Sequence, residues 1–309
     1  MYTLKEKPEN FIVKEKSNVK IKDQGRFFYF KLIKKNRNTL DVVKEIAKQL
    51  SIKEKEVGFA GSKDRNAITE QLISIPRKKV DVNIDGVSLE FVGQGDKPIS
   101  LGDLDGNYFE IVISNYTGKI DNINFVENYF DEQRFSQSNA KVGKHLVKKE
   151  FKEACSILGL DVVGNNFIGA LTKIPLRMLR MYVNAYQSYL WNETVAEVLR
   201  KRDVVKEIDY SLGTFVFVRK REDFQVPLIG FGSDEFKSDE IKEVIKNMMD
   251  KEEIRYKDFI IKQIPQLTLE GEPRDVFIEV KDFKVSGNKV LFFLQKGSYA
   301  TMVIRKVAG

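Results

Sequence analysis

The sequence predicts an α/β protein in which one mixed domain is interrupted by a more helical insertion. Three observations carry this. The first 150 residues hold several aromatic and β-branched runs around one amphipathic stripe. The middle is dominated by a long 3.6-residue periodicity, and the chain beyond 270 returns to extended runs. Domains that accept insertions commonly have neighbouring termini. The expected division is therefore residues 1–150 with 271–309 as one domain and 151–270 as the inserted one.

Taken in order, Phe11–Glu15 and Phe27–Ile33 read as strands, with Gly25 as a turn signal between them. Asn38-Thr39 opens a helix that carries Leu40, Val43, Ile46, Ala47 and Leu50 on one face. Val57–Gly61 reads as a short buried strand entering a turn, and Leu72–Pro76 as an extended run that its proline stops. Asp105-Gly106-Asn107 reads as a turn ahead of the strand Tyr108–Ile113. A basic helix is expected over Val142–Leu158, with Lys141, Lys144, Lys148, Lys149 and Lys152 along it. Leu176, Leu179, Val183, Tyr186 and Leu190 step by threes and fours, which predicts a long helix over Leu176–Leu199. Residues 230–260 are charged helix or loop, and three strands are expected at Asp275–Val280, Val290–Leu294 and Tyr299–Ile304.

The bulk numbers bound the chemistry. At 309 residues the chain can bury two cores. It has no apolar run long enough to span a bilayer, and its charged start, Lys5-Glu6-Lys7, is unlike a signal peptide, so a cytoplasmic protein without a membrane partner is expected. Cys155 is the only cysteine and His145 the only histidine. One of each builds neither a disulfide nor a tetrahedral zinc site, so catalysis has to rest on a carboxylate, a lysine or a tyrosine. His145 fits a surface or RNA contact and Cys155 a buried small hydrophobe. The 52 basic residues against 45 acidic ones leave +7, a moderate bias towards a polyanionic partner.

Two clusters could carry chemistry. In Gly58–Gln71 a strand end passes into a glycine-containing turn, and Asp64 stands between Lys63 and Arg65. A carboxylate among cations suits a nucleophile or base, although such a turn is by itself more often a solvated one. An aspartyl-phosphate reading needs a second aspartate two positions on, where this chain has Asn66, and Gly61-Ser62-Lys63 lacks the spacing of a phosphate-binding loop. In Asn128–Phe135, aromatic, amide and guanidinium groups interleave as a pocket for an unstacked base requires. The same aromatics, Tyr129, Phe130 and Phe135, also fit a core.

Gly58–Gln71 resembles the signature of the TruD family of tRNA pseudouridine synthases. It does not stand alone. Pro8-Glu9-Asn10-Phe11-Ile12-Val13, Leu101-Gly102 with Gly106-Asn107-Tyr108-Phe109, and Asn128–Ser136 are similar to further family motifs. So are Ala185–Asn192 and Lys296-Gly297-Ser298-Tyr299-Ala300-Thr301, the last as a C-terminal strand. Six ordered matches cover nearly the whole chain. The resemblance implies a synthase core with an antiparallel mixed sheet flanked by helices, plus an inserted α/β domain peculiar to the family.

It also implies roles. Asp64 matches the catalytic aspartate, Lys5 a basic residue that pairs with it, and Phe130 an aromatic that stacks on the target uracil. Asn128 and Tyr299 match positions lining that pocket, and Lys63, Arg65 and Arg134 are the cations expected against the RNA. The implied reaction is isomerisation of uridine to pseudouridine in tRNA, at uridine 13 of the D arm, without a cofactor or metal; for the oligomeric state, on which the sequence is silent, a monomer is the default expectation. A non-catalytic RNA-binding module on the same fold is the rival. The chain departs from the family pattern at Asn10, for an aspartate, and at Asp131 and Ser136, for glycines. If those glycines require positive φ, Ser136 is the less comfortable substitute.

Overall fold

The computed structural model describes residues 2–76 and 80–309. Along the chain come β1 (Phe11–Ser17), β2 (Phe27–Lys35), α1 (Thr39–Leu50), β3 (Gly58–Phe59), β4 (Ile68–Ile75), β5 (Val87–Gly95), β6 (Leu104–Val112) and β7 (Phe125–Glu127). Then follow α2 (Asn139–Val147), α3 (Phe151–Ile157), α4 (Phe167–Leu171), α5 (Leu176–Leu199), β8 (Val204–Tyr210), β9 (Gly213–Val218) and β10 (Gln225–Pro227). The chain closes with α6 (Asp239–Glu252), β11 (Pro273–Asp275), β12 (Phe277–Glu279), β13 (Lys281–Ser286), β14 (Lys289–Gln295) and α7 (Ala300–Ala308). None of the described helices is long and apolar enough to cross a membrane.

The chain divides into two compact units. Residues up to Phe125 join Glu279–Gly309 in the first, and Val126–Ile278 form the second. The breaks anticipated from sequence, near 150 and 270, lie inside the second unit. Residues before 150 go with the middle because α2 packs along α5 so closely that a Cβ on Gly143 would stand 2.1 Å from the carbonyl oxygen of Tyr182.

The first unit is built on a mixed sheet of order β13-β14-β6-β1-β4-β2-β5, with β3 paired to β4 beside it. β1 runs parallel to β4, and the other pairings are antiparallel. α1 begins as its sequence requires, with the Asn38 side chain accepting the Leu40 N–H at 2.9 Å. It ends on Ser51 in the left-handed region. Val42, Val43, Ile46, Ala47 and Leu50 bury against Phe30 and Leu32 of β2 and Ile73 and Ile75 of β4. That apolar seam clamps α1 and β2 around the turn before β4.

Three expectations need correction here. Asp105-Gly106-Asn107 is not a turn but part of β6. Gly106 marks a close backbone approach instead, since a Cβ there would meet the Leu294 carbonyl oxygen at 2.1 Å. The basic helix over Val142–Leu158 is two helices, α2 and α3, broken where Lys149 takes a φ of +60°. Tyr299–Ile304 is not a strand. Tyr299 caps α7, whose Ala300, Met302, Val303, Ile304 and Ala308 are buried. A short continuous apolar run fits strand and helix periods alike, and tertiary packing chose the helix.

In the second unit α5 is the axis. Beyond its first turn it is buried on nearly every side, and its polar residues are fixed internally. Gln187 donates to the carbonyls of Ile229 and Glu270, each at 3.1 Å, and the Trp191 indole donates to Val226 O at 2.9 Å. Cys155 lies in the adjoining core with Val142, Leu146, Leu171, Leu179 and Val183, and burial pushes its thiol pKa up.

Candidate active site

The turn from Ala60 to Ala67 links β3 to β4. Gly58 enters it without a side chain because a Cβ would meet Ile99 O and Ser74 Oγ at 2.4 Å. Polar groups from three elements then pin the turn. Gln71 of β4 donates to Gly61 O at 3.0 Å, and the Thr39 hydroxyl of α1 accepts the Lys63 N–H at 3.0 Å. Thr39 in turn donates to Gln71 Oε1 at 3.2 Å. The Lys34 ammonium, fully buried on β2, donates to the carbonyls of Asp64 at 2.7 Å and Arg37 at 2.8 Å. The position of Asp64 is therefore set by β2, α1 and β4 together.

Lys5 reaches this turn from the N-terminus. Its ammonium donates to Asp64 Oδ1 at 2.9 Å and stands 4.2 Å from the Phe11 ring centroid. The segment is anchored on either side. Thr3 and Ser114 exchange main-chain hydrogen bonds at 2.9 and 3.0 Å, and Asn10 donates to Ser114 Oγ at 3.3 Å. The aspartate-to-asparagine departure thus supplies a donor at this anchor. Lys5 has φ +59°, which costs a non-glycine residue on the order of 1 kcal/mol or more. The pair is 21% and 30% exposed, and such partly exposed ion pairs contribute about 1 kcal/mol or less. Stability does not account for the arrangement; holding a carboxylate in one orientation does.

Lys63 and Arg65, the neighbours of Asp64, point to different fates. The Lys63 ammonium forms an ion pair with Glu15 whose side chains are 6% and 1% exposed. Glu15 also accepts the Leu72 N–H at 3.2 Å. Lys63 is thus an internal cation that ties the turn to β1, whereas Arg65 is exposed. Tyr299, half-buried at the start of α7, belongs to this unit as well.

The second unit gathers Asn128, Phe130 and Arg134. Asn192 of α5 accepts the Phe130 N–H at 3.0 Å and donates to Phe130 O at 2.9 Å, so the residue's backbone is held from both sides. The Phe130 ring meets Trp191 edge-on, with centroids 5.6 Å apart, and carries the Arg274 guanidinium at 4.1 Å and that of Arg134 at 5.5 Å. Arg274 also donates to Asn128 O at 2.9 Å and Asn128 Oδ1 at 2.8 Å, while Asn128 Nδ2 donates to Asp275 O at 3.0 Å. The Asn128 oxygen and one of its amide N–H groups are therefore engaged internally.

Ser136 has φ +48°, the left-handed geometry that makes glycine the easier residue, whereas Asp131 is extended at φ −71°. The basic face expected on α2 and α3 is largely neutralised within the unit. Lys144 pairs with Glu252, Lys148 with Glu150 and Glu253, and Lys149 with Asp258. His145 bonds Glu150 at 2.6 Å.

Sequence reasoning missed Lys34, Arg274, Thr39 and Glu15. Lys34 and Glu15 each interrupt a hydrophobic strand face, and that interruption was their available signal. Arg274 sits in a charged loop-like stretch, far along the chain from its partners, and had none.

A family model described as tRNA pseudouridine synthase D (TruD) matches residues 2–163 and 159–307. The chain belongs to the tRNA pseudouridine synthase D family. It is 32% identical to a Nanoarchaeum equitans (strain Kin4-M) protein assigned as tRNA pseudouridine synthase D, over 98% of each chain. It is 31% identical to the tRNA pseudouridine synthase D of Aquifex aeolicus (strain VF5), over 98% of this chain and 97% of that one. The crystal structure of a Methanosarcina mazei protein assigned to TruD shares the fold, with TM-score 0.70 and 21% identity, over 99% of this chain and 93% of the other. The mixed sheet flanked by helices is thus the TruD fold. Pseudouridine synthases are isomerases, and the chemistry of this TruD family is isomerisation of uridine in tRNA.

Proposed function

We propose that this TruD chain isomerises uridine 13 in the D arm of tRNA, with Asp64 as the nucleophile and Lys5 as its partner. The observation that carries the reading is the 2.9 Å contact between the Lys5 ammonium and the Asp64 carboxylate, held by a strained backbone at Lys5 and a turn pinned from three elements. The target uridine leaves its stack at a cost of a few kcal/mol. Asp64 attacks C1′ or C6, the N1–C1′ bond breaks, and the detached base rotates. C5 then bonds to C1′, the bond to Asp64 breaks and frees its carboxylate, C5 gives up its proton to solvent and N1 takes one up, so no oxidant, metal or cofactor enters the balance. Phe130 is assigned to stacking on the uracil, and Asn128 to its edge through the remaining amide N–H. Tyr299 is assigned to the pocket wall, and Arg65 and Arg134 to phosphates. Lys63, paired with Glu15, supports the turn rather than the RNA. In this reading the enzyme is a cytoplasmic monomer, its catalytic aspartate on the unit formed by the two ends of the chain and the family's inserted domain in the middle.

The test uses tRNA tritiated at uracil C5. The wild type releases label to water, a transcript with cytidine at position 13 does not, and Asp64→Asn abolishes release while tRNA binding survives. Binding without release from any transcript would instead favour a non-catalytic RNA-binding module. Phosphatase turnover lost in Asp64→Asn would return the aspartyl-phosphate reading.

A further inference from the structure

Lys34 is 0% exposed, and its ammonium contacts three main-chain oxygens, those of Asp64 at 2.7 Å, Arg37 at 2.8 Å and Lys63 at 3.4 Å. Among the described residues no carboxylate lies within 4.0 Å of it. A buried cation without a counter-ion is costly, and a methionine would fill the same space at lower cost. On β2, Lys34 follows Phe30 and Leu32 along the buried face, and its partner across the ladder on β4 is the buried, uncharged Thr69. A charge kept under such conditions has a task, and two of its three contacts, Asp64 O and Lys63 O, lie on the turn that carries Asp64, while the third ties that turn to Arg37 ahead of α1.

We propose that Lys34 is a positioning residue for Asp64: its ammonium holds the main chain of the turn so that the carboxylate points at the target nucleotide, and its charge steadies that carboxylate. The inference rests on the reading of Asp64 as nucleophile. Burial lowers the Lys34 pKa to about 8, the nearby Asp64 opposing this and Lys63 adding to it. Both of those charges lie on the turn before β4, and Lys5 binds the same Asp64 carboxylate. Loss of the proton removes one of three N–H donors, turns a lone pair towards a carbonyl and withdraws the charge. Activity therefore has an alkaline limb that begins where Lys34 titrates.

The experiment measures kcat and KM for tritium release from about pH 6.5 to 9.5, for wild type, Lys34→Met and Asp64→Asn, with tRNA binding and thermal melting alongside. The wild type is expected to show a single alkaline limb in kcat with a midpoint near pH 8, while its melting temperature does not fall. Lys34→Met is expected to lose about 30-fold or more in kcat with tRNA affinity within about threefold, and to lose the limb. A folded Lys34→Met with near-wild-type kcat, or with the limb intact, overturns the proposal. If Lys34→Met does not fold, the wild-type profile decides: a profile flat to about pH 9.5 overturns it. Release surviving in Asp64→Asn would sink the nucleophile reading itself, an outcome distinct from failure at Lys34 alone.

Discussion

Lys63→Met puts a number on how firmly the Asp64 turn is tied to the sheet. The Lys63 and Glu15 side chains are 6% and 1% exposed, so removing the cation leaves a carboxylate almost wholly shielded from water. Breaking one partner out of a buried pair costs about 3–5 kcal/mol, because the survivor's desolvation is no longer offset. Here the Leu72 N–H still donates to Glu15, which places the expected loss at the lower end, about 3 kcal/mol. Glu15→Gln should cost a similar amount, since it strands the ammonium. The double variant Glu15→Gln/Lys63→Met buries no net charge and keeps an acceptor for Leu72, so it should cost roughly 1–2 kcal/mol, less than either single change. The coupling is then several kcal/mol, far outside the error of urea unfolding followed by circular dichroism. Additive effects, or a Lys63→Met loss under about 1 kcal/mol, would refute the internal ion pair and return Lys63 to the surface as an RNA contact. In the folded fraction, Lys63→Met should also lower kcat for tritium release, because the turn loses its tie to β1.

Arg274→Ala removes two hydrogen bonds to Asn128 and the cation on Phe130, and should reduce kcat/KM for tRNA about tenfold or more, with a smaller change for Arg274→Lys than for alanine in melting but not in activity. Asn192→Ala leaves the Phe130 N–H and carbonyl without their buried partner and should destabilise by about 2–3 kcal/mol in urea unfolding. Ser136→Gly relieves a φ of +48° and should stabilise by about 1 kcal/mol, visible as a raised melting temperature. The Lys34 pKa is about 8 when folded against 10.5 in the unfolded chain, so the buried ammonium opposes folding below pH 8 and that cost fades as pH rises towards 10.5. Its contribution to unfolding free energy should therefore rise by about 2 kcal/mol between pH 7.5 and 9.5, and Lys34→Met should lack that rise.

Much of the fold was legible because local signals agreed with tertiary packing. Asn38 before the Val43, Ile46 and Leu50 stripe predicted α1, and the structure buries that stripe against β2 and β4. The Leu176–Leu199 period predicted α5 to the residue. Failures came where two structures fit one pattern. Gly106 reads as a turn locally, yet it serves a close strand approach that only β14 makes visible. The apolar run from Tyr299 to Ile304 fits a strand as well as the helix it forms.

Of the candidate site, Asp64 and Lys5 were legible by resemblance, and the structure joins them at 2.9 Å across 59 residues of sequence. Lys63 shows the limit. Its residue type and its place beside Asp64 suggest a phosphate contact, but the side chain turns inward to Glu15. The lysines of α2 and α3 are a like case, with three of them held by Glu252, Glu253, Glu150 and Asp258.

By itself, the sequence determined the α/β class, the order of most elements, the scarcity of thiol and imidazole, and the turn on which Asp64 sits. These depend on residue type and on spacing within a few positions, which a linear chain displays directly. Only the tertiary structure decided which charges face inward. Lys34 under the Asp64 carbonyl, Lys63 against Glu15 and Arg274 beneath Phe130 are contacts between residues distant in sequence. A side chain's partner is set by where the sheet and α5 bring the backbone, and no local pattern encodes that.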